Sequence, residues 1–156
     1  MSESQGDPQV LRGETVARAA FRGVVGAMAM TGMRAFTVNA GIVEEAPPQA
    51  VFRQRVLGVL KPSTRKQRRA ATELAHWGYG GAGGAAFGML PDQLRLRPWA
   101  GPAYGIGVWL GFELCVAPLL GLSQAKRARV VERAALAADH VLYGLVLSEV
   151  RRRPRE

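Results

Sequence analysis

The charged residues of this chain are unevenly distributed, and this distribution constrains the fold more than any other sequence feature. Four long segments hold one charged residue each, although the 156 residues include 21 Lys and Arg and 12 Asp and Glu. A helix with one face in water needs polar side chains along that face, every third or fourth residue, and these segments lack them. Their outer faces are therefore expected to meet apolar surroundings. The segments and their charges are 23–42 with Arg34, 70–91 with Glu73, 99–123 with Glu113 and 134–148 with Asp139.

The lengths of these segments predict four membrane-spanning helices. A bilayer core about 30 Å thick requires roughly 20 apolar residues in a helix. The sequence therefore predicts an all-α fold, a four-helix transmembrane bundle over residues 18–150 between a polar tail at 1–17 and a basic tail at 151–156. The alternative is a buried soluble helical bundle, because a mean hydropathy of +0.01 is low for a membrane protein. The predicted spans are 19–42, 70–91, 99–122 and 130–150.

Further details concern the connections and the third span. Residues 48–60 carry apolar side chains on one helical face, which predicts a short amphipathic helix along the membrane interface or packed on the bundle. Pro118 cannot donate a hydrogen bond to the carbonyl of Leu114, so a kink is predicted just beyond Glu113. Cys115 is the only cysteine in the sequence, and no intramolecular disulfide can form.

The net charge of +9 indicates an anionic partner. Basic clusters flank the predicted spans at 65–69, 126–129 and 151–155. Attraction to the anionic headgroups of a lipid bilayer explains clusters in such positions. Nucleic acid is disfavoured as a partner, because the sequence has no recognisable nucleic-acid-binding motif and no interleaved aromatic surface. Association into a homo-oligomer or a larger membrane complex stays open.

The ionisable residues of the predicted spans fall at similar depths. Counted from one end of each span, most lie roughly 9 to 14 Å deep, and Glu73 is shallower. A charge that faces lipid costs several kcal/mol, so these side chains are expected to turn inward and pair, with Arg34 as the counter-charge of an acid. The predicted polar layer consists of Arg34, Glu73, His76, Glu113, Asp139 and His140.

A faint internal repeat relates the second and fourth predicted spans. The stretches His76-Trp-Gly-Tyr-Gly80 and His140-Val-Leu-Tyr-Gly144 share the pattern His-x-x-Tyr-Gly at an offset of 64 residues. With two spans in each unit, the pattern predicts parallel repeats about an axis along the membrane normal. Chance similarity over five residues is the alternative.

Four stretches of the chain carry a resemblance to a known family: Arg22 to Arg34, Glu45 to Pro48, Ala75 to Gly80 and Ala138 to Gly144. They resemble small bacterial inner-membrane proteins of the YagU-like kind. The similarity covers residues from about 19 to 149 of the 156. The resemblance implies about four spans, placement in the bacterial inner membrane and a biochemical role that is not assigned, and it supplies no catalytic residues.

Three functions are compatible with such a polar layer. The first is a non-enzymatic accessory or binding component, since the sequence has no nucleophile elbow, phosphate loop or redox motif. The second is a b-type haem with His76 and His140 as axial ligands. The third is a proton or transition-metal site, because Glu73 and His76 share one helical face. The metal ligands would be Glu73, His76, Glu113, Asp139 and His140.

Overall fold

Helices account for most of the residues that the computed structural model describes, which are 8–41, 64–119 and 130–148. The prediction of an all-α fold is confirmed. The predicted amphipathic helix at 48–60 lies outside the described residues. The elements are α1 (Pro8–Asn39), α2 (Arg65–Gly88), α3 (Asp92–Arg95), α4 (Ala100–Gly111), a π-helical segment (Phe112–Val116), α5 (Ala117–Leu119) and α6 (Val130–Leu147).

Local sequence determines where two of the long helices begin and end. At the start of α2, the amide of Gln67 donates to the side chain of Thr64 at 3.2 Å, and the amide of Thr64 donates to the side chain of Gln67 at 3.1 Å. This reciprocal pair is a capping box, which satisfies amides that have no partner inside the helix. After α1, Gly41 has a φ of 71° and its amide donates to the carbonyl of Val38. Glycine adopts this left-handed conformation without steric conflict, so α1 ends here.

No helix in residues 8–41, 64–119 and 130–148 is both long enough and apolar enough to cross a membrane. The predictions of membrane spans, of a four-helix transmembrane bundle and of multi-pass placement in the bacterial inner membrane are therefore wrong. The four segments contain few charges, but glycine and alanine make many of them weakly apolar. A bilayer span needs net apolar character as well as few charges.

Each predicted span also differs from the observed helix in a particular way. α1 is 32 residues long but contains Arg22 and Arg34 within its apolar part. α2 begins with a basic first turn and continues mainly in glycine and alanine. The third span is divided, because α4 has 12 residues and ends at a π-helical segment. α6 has 18 residues and carries Glu132, Arg133 and Asp139.

The π-helical segment lies where the sequence predicted a kink. It includes Glu113 and Leu114 and ends two residues before Pro118. Because Pro118 has no amide hydrogen to donate to Leu114, the helix cannot keep its regular hydrogen bonds through this region. A single π-helical turn is a common way in which an α-helix absorbs such a disruption.

Two antiparallel helix pairs make the closest contacts, and both do so through glycine. In the first pair, Gly23 of α1 lies against Gly80 and Gly84 of α2. In the second pair, Gly101 of α4 lies against Gly144 of α6 and against the following Ser148. The residues contacted on α2, 80 and 84, and those contacted at the end of α6, 144 and 148, are 64 positions apart. This spacing equals the offset between the two His-x-x-Tyr-Gly stretches. A Cβ on Gly84 would lie 2.9 Å from the Cα of Gly23, so these helices can approach so closely only without side chains at the crossing.

The two pairs join where α1 packs against α6. Gly26 of α1 lies against the ring of Tyr143, and Phe87 of α2 contacts Tyr104 of α4 with ring centroids 5.2 Å apart. This arrangement surrounds a small apolar core between the pairs. The core consists of Met30, Phe87, Ala100, Tyr143 and Leu147, with Leu90 and Tyr104 packed against it.

The two faces of α1 differ in the size of their side chains, and the small residues are on the inner face. The face that packs on α2 and α6 is made mainly of small residues such as Ala19, Gly23 and Ala27, together with Met30 and the buried Arg34. Large apolar side chains instead point outward, and Phe21 and Phe36 are 69% and 67% exposed. Helices of globular domains usually bury their large apolar residues and expose polar ones. α1 therefore presents an apolar surface that no described part of the chain covers.

Candidate functional site

The antiparallel arrangement of α1 with both α2 and α6 brings several ionisable side chains together. Thr31 of α1 bonds to Glu73 of α2, and Arg34 of α1 pairs with Asp139 of α6. Since α2 and α6 lie on two sides of the same stretch of α1, their polar residues reach one region. We call Arg34, Glu73, His76, Asp139 and His140 the polar cluster.

The Arg34–Asp139 ion pair is the centre of the polar cluster. Nη2 of Arg34 lies 3.5 Å from Oδ2 of Asp139, and the residues are 7% and 5% exposed. Burial lowers the pKa of Arg34, while the charges of Asp139 and Glu73 oppose that change. Burial raises the pKa of Asp139, and the charge of Arg34 opposes that change. Each charge thus offsets part of the desolvation of the other, as a buried pair requires.

Glu73 is held by a hydroxyl group of α1. Thr31 Oγ1 lies 3.0 Å from Oε2 of Glu73 and 3.1 Å from the carbonyl oxygen of Ala27, and its single hydrogen can be donated to one of them. Nε1 of Trp77 donates to the same Oγ1 at 3.4 Å. A carboxylate is the stronger acceptor, so we assign the hydroxyl hydrogen to Glu73. This contact fixes Glu73 at the edge of the polar cluster.

The two imidazoles of the polar cluster have different hydrogen bonds. Nδ1 of His140 lies 2.8 Å from the carbonyl oxygen of Leu136. A carbonyl can only accept, so this nitrogen carries the hydrogen and Nε2 of His140 is the basic one. Nε2 of His76 is buried and has no hydrogen-bond partner among the described residues.

Both imidazoles are neutral at pH 7. Burial, the charge of Arg34 and the proximity of His140 lower the pKa of His76 to about 4. Burial also lowers the pKa of His140; the bond to Leu136 opposes this change, and the charge of Arg34 adds to it.

Glu113 does not share this arrangement. Its Oε1 lies 3.7 Å from Nε of Arg133 in α6, and the Arg133 side chain is about half exposed. The π-helical segment that carries Glu113 directs it to this neighbour, whereas Arg34 pairs with Asp139. The structure thus assembles five of the six residues of the predicted polar layer and separates the sixth.

Two tyrosines form part of the site although the sequence reasoning did not select them. The hydroxyl of Tyr143 donates to the carbonyl oxygen of Gly80 at 2.6 Å, and that of Tyr104 donates to the carbonyl oxygen of Gly83 at 2.8 Å. Burial raises the pKa of both phenols. Tyr143 lies one helical turn beyond His140, which is the sequence signal that could have identified it. Tyr79, its counterpart in the repeat, is 56% exposed.

The polar cluster does not have the arrangement of a metal site. Among the described residues, no group of three or more His, Cys, Asp or Glu side chains could hold a metal ion. The predicted ligand set is divided, since Glu113 pairs with Arg133 and Asp139 pairs with Arg34. A porphyrin ligated by His76 and His140 would also place an apolar macrocycle beside the buried Arg34–Asp139 ion pair. The geometry therefore favours neither metal nor haem.

The polar cluster is suited to fixing α1 against α2 and α6 and to keeping an imidazole neutral beside a buried ion pair. No protein-family model, curated protein or solved structure matches the chain. The resemblance to YagU-like proteins therefore stays a prediction, and the function has to be inferred from this geometry.

Proposed function

We propose that this protein is a non-enzymatic binding component that associates with a second copy of itself through the exposed apolar face of α1. The observation that carries the proposal is the sorting of side chains on α1, with small residues and Arg34 inside and phenylalanines outside. The polar cluster fixes α1 between α2 and α6, so the outward face is presented in one orientation.

The exposed face of α1 is continuous over about four turns. Its residues recur at helical spacing, so their side chains form one stripe along the helix. Contiguous apolar patches of this kind mark interaction surfaces. We call this set the α1 stripe: Phe21, Val25, Met28, Gly32 and Phe36.

The net charge of the chain restricts where a second copy can dock, and the α1 stripe meets that restriction. Two copies with a net charge of +9 repel each other over most of their surfaces. The α1 stripe contains no charged residue, and the nearby Arg34 is turned inward to Asp139. An uncharged face can meet its own copy across a two-fold axis without placing like charges opposite each other.

The shape of the α1 stripe also fits another α1 helix. A Cβ at Gly32 would meet nothing within 4 Å, so this position is open to an approaching side chain or helix. Gly32 lies between Met28 and Phe36, which gives a gap flanked by large apolar groups. The two phenylalanines alone expose roughly 200 Å² or more, since a phenylalanine side chain buries about 150–250 Å². A stable interface buries about 800 Å² on each partner, which requires the whole stripe and its borders.

Cysteine cross-linking tests this proposal directly. In a Cys115→Ser background, Gly32→Cys is expected to give a disulfide-linked dimer under mild oxidation, because a two-fold crossing near this position brings the two sulfurs together. Gly13→Cys is the matched control, since Gly13 is also exposed, open to solvent and on α1. It lies outside the α1 stripe and should remain uncross-linked. Equal cross-linking of the two variants would contradict the proposal.

A second measurement tests the apolar contact itself. Phe36→Glu is expected to weaken dimerisation in sedimentation velocity experiments by roughly 30-fold or more, as expected for an aromatic residue at the centre of an interface. Leu114→Glu is the control, because Leu114 is 69% exposed and belongs to the π-helical segment. A wild-type chain that stays monomeric but co-floats with lipid vesicles would reject the second copy as the partner of α1.

A further inference from the structure

Two buried nitrogen atoms in the polar cluster have no hydrogen-bond partner among the described residues. They are Nε of Arg34, in a side chain that is 9% exposed, and Nε2 of His76. An unpaired buried polar atom costs about 1–3 kcal/mol, so native proteins supply a partner for nearly all such atoms. A single molecule between the two side chains would satisfy both atoms.

The helix directions turn these two side chains toward each other. Side chains of an α-helix lean toward its N-terminus. α1 and α2 are antiparallel, and the hydrogen bond between Thr31 and Glu73 joins them. Arg34 lies one turn after Thr31 on α1, and His76 lies one turn after Glu73 on α2. Arg34 therefore leans toward the level of His76, and His76 leans toward the level of Arg34. The low pKa of His76, which reflects in part the charge of Arg34, is consistent with this proximity.

The chemistry of the two atoms defines the molecule that would satisfy both. Nε of Arg34 carries a hydrogen and can only donate. Nε2 of a neutral imidazole accepts when the hydrogen is on Nδ1. With the hydrogen of His76 on Nδ1, the shared partner accepts one hydrogen bond and donates another. Water does both, and buried waters usually make two to four hydrogen bonds.

The charges around the position exclude a small anion as the better partner. Arg34 of α1 faces Glu73 of α2 and Asp139 of α6, and the two imidazoles are neutral. The carboxylates of Glu73 and Asp139 disfavour an anion at this position, whereas a neutral molecule is not affected. We propose that Arg34 and His76 bind one water molecule between them, which accepts from Nε of Arg34 and donates to Nε2 of His76.

This water site connects the buried ion pair to an imidazole that would otherwise be isolated. It assigns the Nδ1–H tautomer to His76, the same tautomer that the bond to Leu136 imposes on His140. The site is independent of self-association, because it lies on the inner side of α1 and the α1 stripe lies on the outer side.

A high-resolution structure from crystals grown with sodium bromide tests the proposed water site. We expect an oxygen atom within about 3.2 Å of both Nε of Arg34 and Nε2 of His76. An anomalous bromide signal at this position would show an adventitious or specific anion and overturn the water assignment. A direct contact between the two side chains, or their separation beyond the reach of one water, would also overturn it.

Measurements in solution provide a second test. Magnetic relaxation dispersion counts long-lived buried waters, and His76→Phe is expected to lower that count by one because the acceptor is lost. Trp77→Phe is the control, since Nε1 of Trp77 donates to Thr31 and not to this site, and it should leave the count unchanged. In the wild-type chain, the ¹⁵N chemical shifts of His76 should show the hydrogen on Nδ1. A hydrogen on Nε2, or an unchanged count in His76→Phe, would reject the proposal.

Discussion

The α1–α2 pair and the α4–α6 pair share a way of crossing but differ in what lies beyond it. Gly23 meets residues 80 and 84, and Gly101 meets residues 144 and 148, so both crossings allow backbone contact in the same register. Beyond the first crossing, α1 continues through Thr31 to Arg34 and supplies the polar cluster. Beyond the second, α4 ends at Gly111 and the π-helical segment sends Glu113 to Arg133.

This difference separates the role of glycine in helix packing from the role of the polar residues in forming a site. Glycine at a crossing determines how closely two helices approach, and both pairs have it. The polar cluster depends on an uninterrupted α1, which lies between α2 and α6 and reaches both. A common crossing therefore does not imply a common site, even where both helices carry the pattern His-x-x-Tyr-Gly.

The largest effect should come from breaking the buried ion pair. Arg34→Met leaves Asp139 buried without its counter-charge and is expected to lower the free energy of unfolding by about 3–5 kcal/mol. Arg133→Met removes the half-exposed partner of Glu113, and there the loss should be below about 1 kcal/mol. Denaturant unfolding of the two variants measures the contrast. Equal losses would show that the two ion pairs are energetically equivalent.

Substitutions at the glycine crossings should have the next largest effect on stability, and the effect should be similar at the two crossings. Gly84→Ala and Gly144→Ala each place a Cβ 2.9 Å from a Cα atom of the facing helix, Gly23 and Pro102 respectively. Overpacking of this kind is expected to lower the free energy of unfolding by about 1–3 kcal/mol or more. Gly78→Ala meets nothing within 4 Å and should stabilise α2 by about 0.5–1 kcal/mol. A loss at only one crossing would break the proposed equivalence of the two pairs.

The pH dependence of stability should identify His76 as a neutral buried base. Its pKa of about 4 in the folded chain is below the ordinary value of 6.5, so the unfolded chain binds the proton first as the pH falls. Stability is then complete above pH 6.5 and decreases as the pH falls toward 4, by about 1 kcal/mol or more at pH 5. The raised pKa of Asp139 acts in the opposite direction, because the folded chain binds that proton first.

The variant His76→Phe separates these contributions. It retains Arg34, Glu73, Asp139 and His140 around the position and removes one titrating group. The difference in the free energy of unfolding between pH 7 and pH 5 should therefore be smaller in the variant than in the wild-type chain. An identical difference would assign the pH dependence to other residues of the polar cluster.

The smallest effect should distinguish the two tyrosines of the repeat. Tyr143→Phe removes the hydrogen bond to the carbonyl of Gly80 and is expected to lower the free energy of unfolding by about 0.5–1.5 kcal/mol. Tyr79→Phe alters an exposed hydroxyl and should change it by less than about 0.5 kcal/mol. Thermal or denaturant unfolding of both variants measures the contrast, and equal effects would indicate equivalent environments.

Much of the polar cluster could be predicted because helical periodicity is local. Arg34 shares a face with Gly23, Ala27 and Thr31, and His76 shares a face with Glu73 and Gly80, as 3.6 residues per turn requires. Glu113 could not be placed in this way. Its direction depends on the π-helical segment, which shifts the register of every later side chain on that helix.

The surroundings of the helices could not be predicted from the number of charges alone. Few charges within 23–42 or 70–91 indicated outer faces in contact with something apolar, and the outward Phe21 and Phe36 are in keeping with that reasoning. The step from apolar faces to membrane spans failed on net hydropathy and on the division of the third helix. Scarcity of charge and sufficient apolar character are separate properties.

The sequence by itself determined that the chain is helical and which residues share a helical face, because these depend on neighbours within a few positions. The tertiary structure alone decided which acid pairs with Arg34, that Tyr143 reaches Gly80 while Tyr79 faces outward, and that α1 turns its large apolar residues away from the other helices. These outcomes depend on how closely the glycine crossings allow the helices to approach, and that distance is set by contacts between residues far apart in the chain.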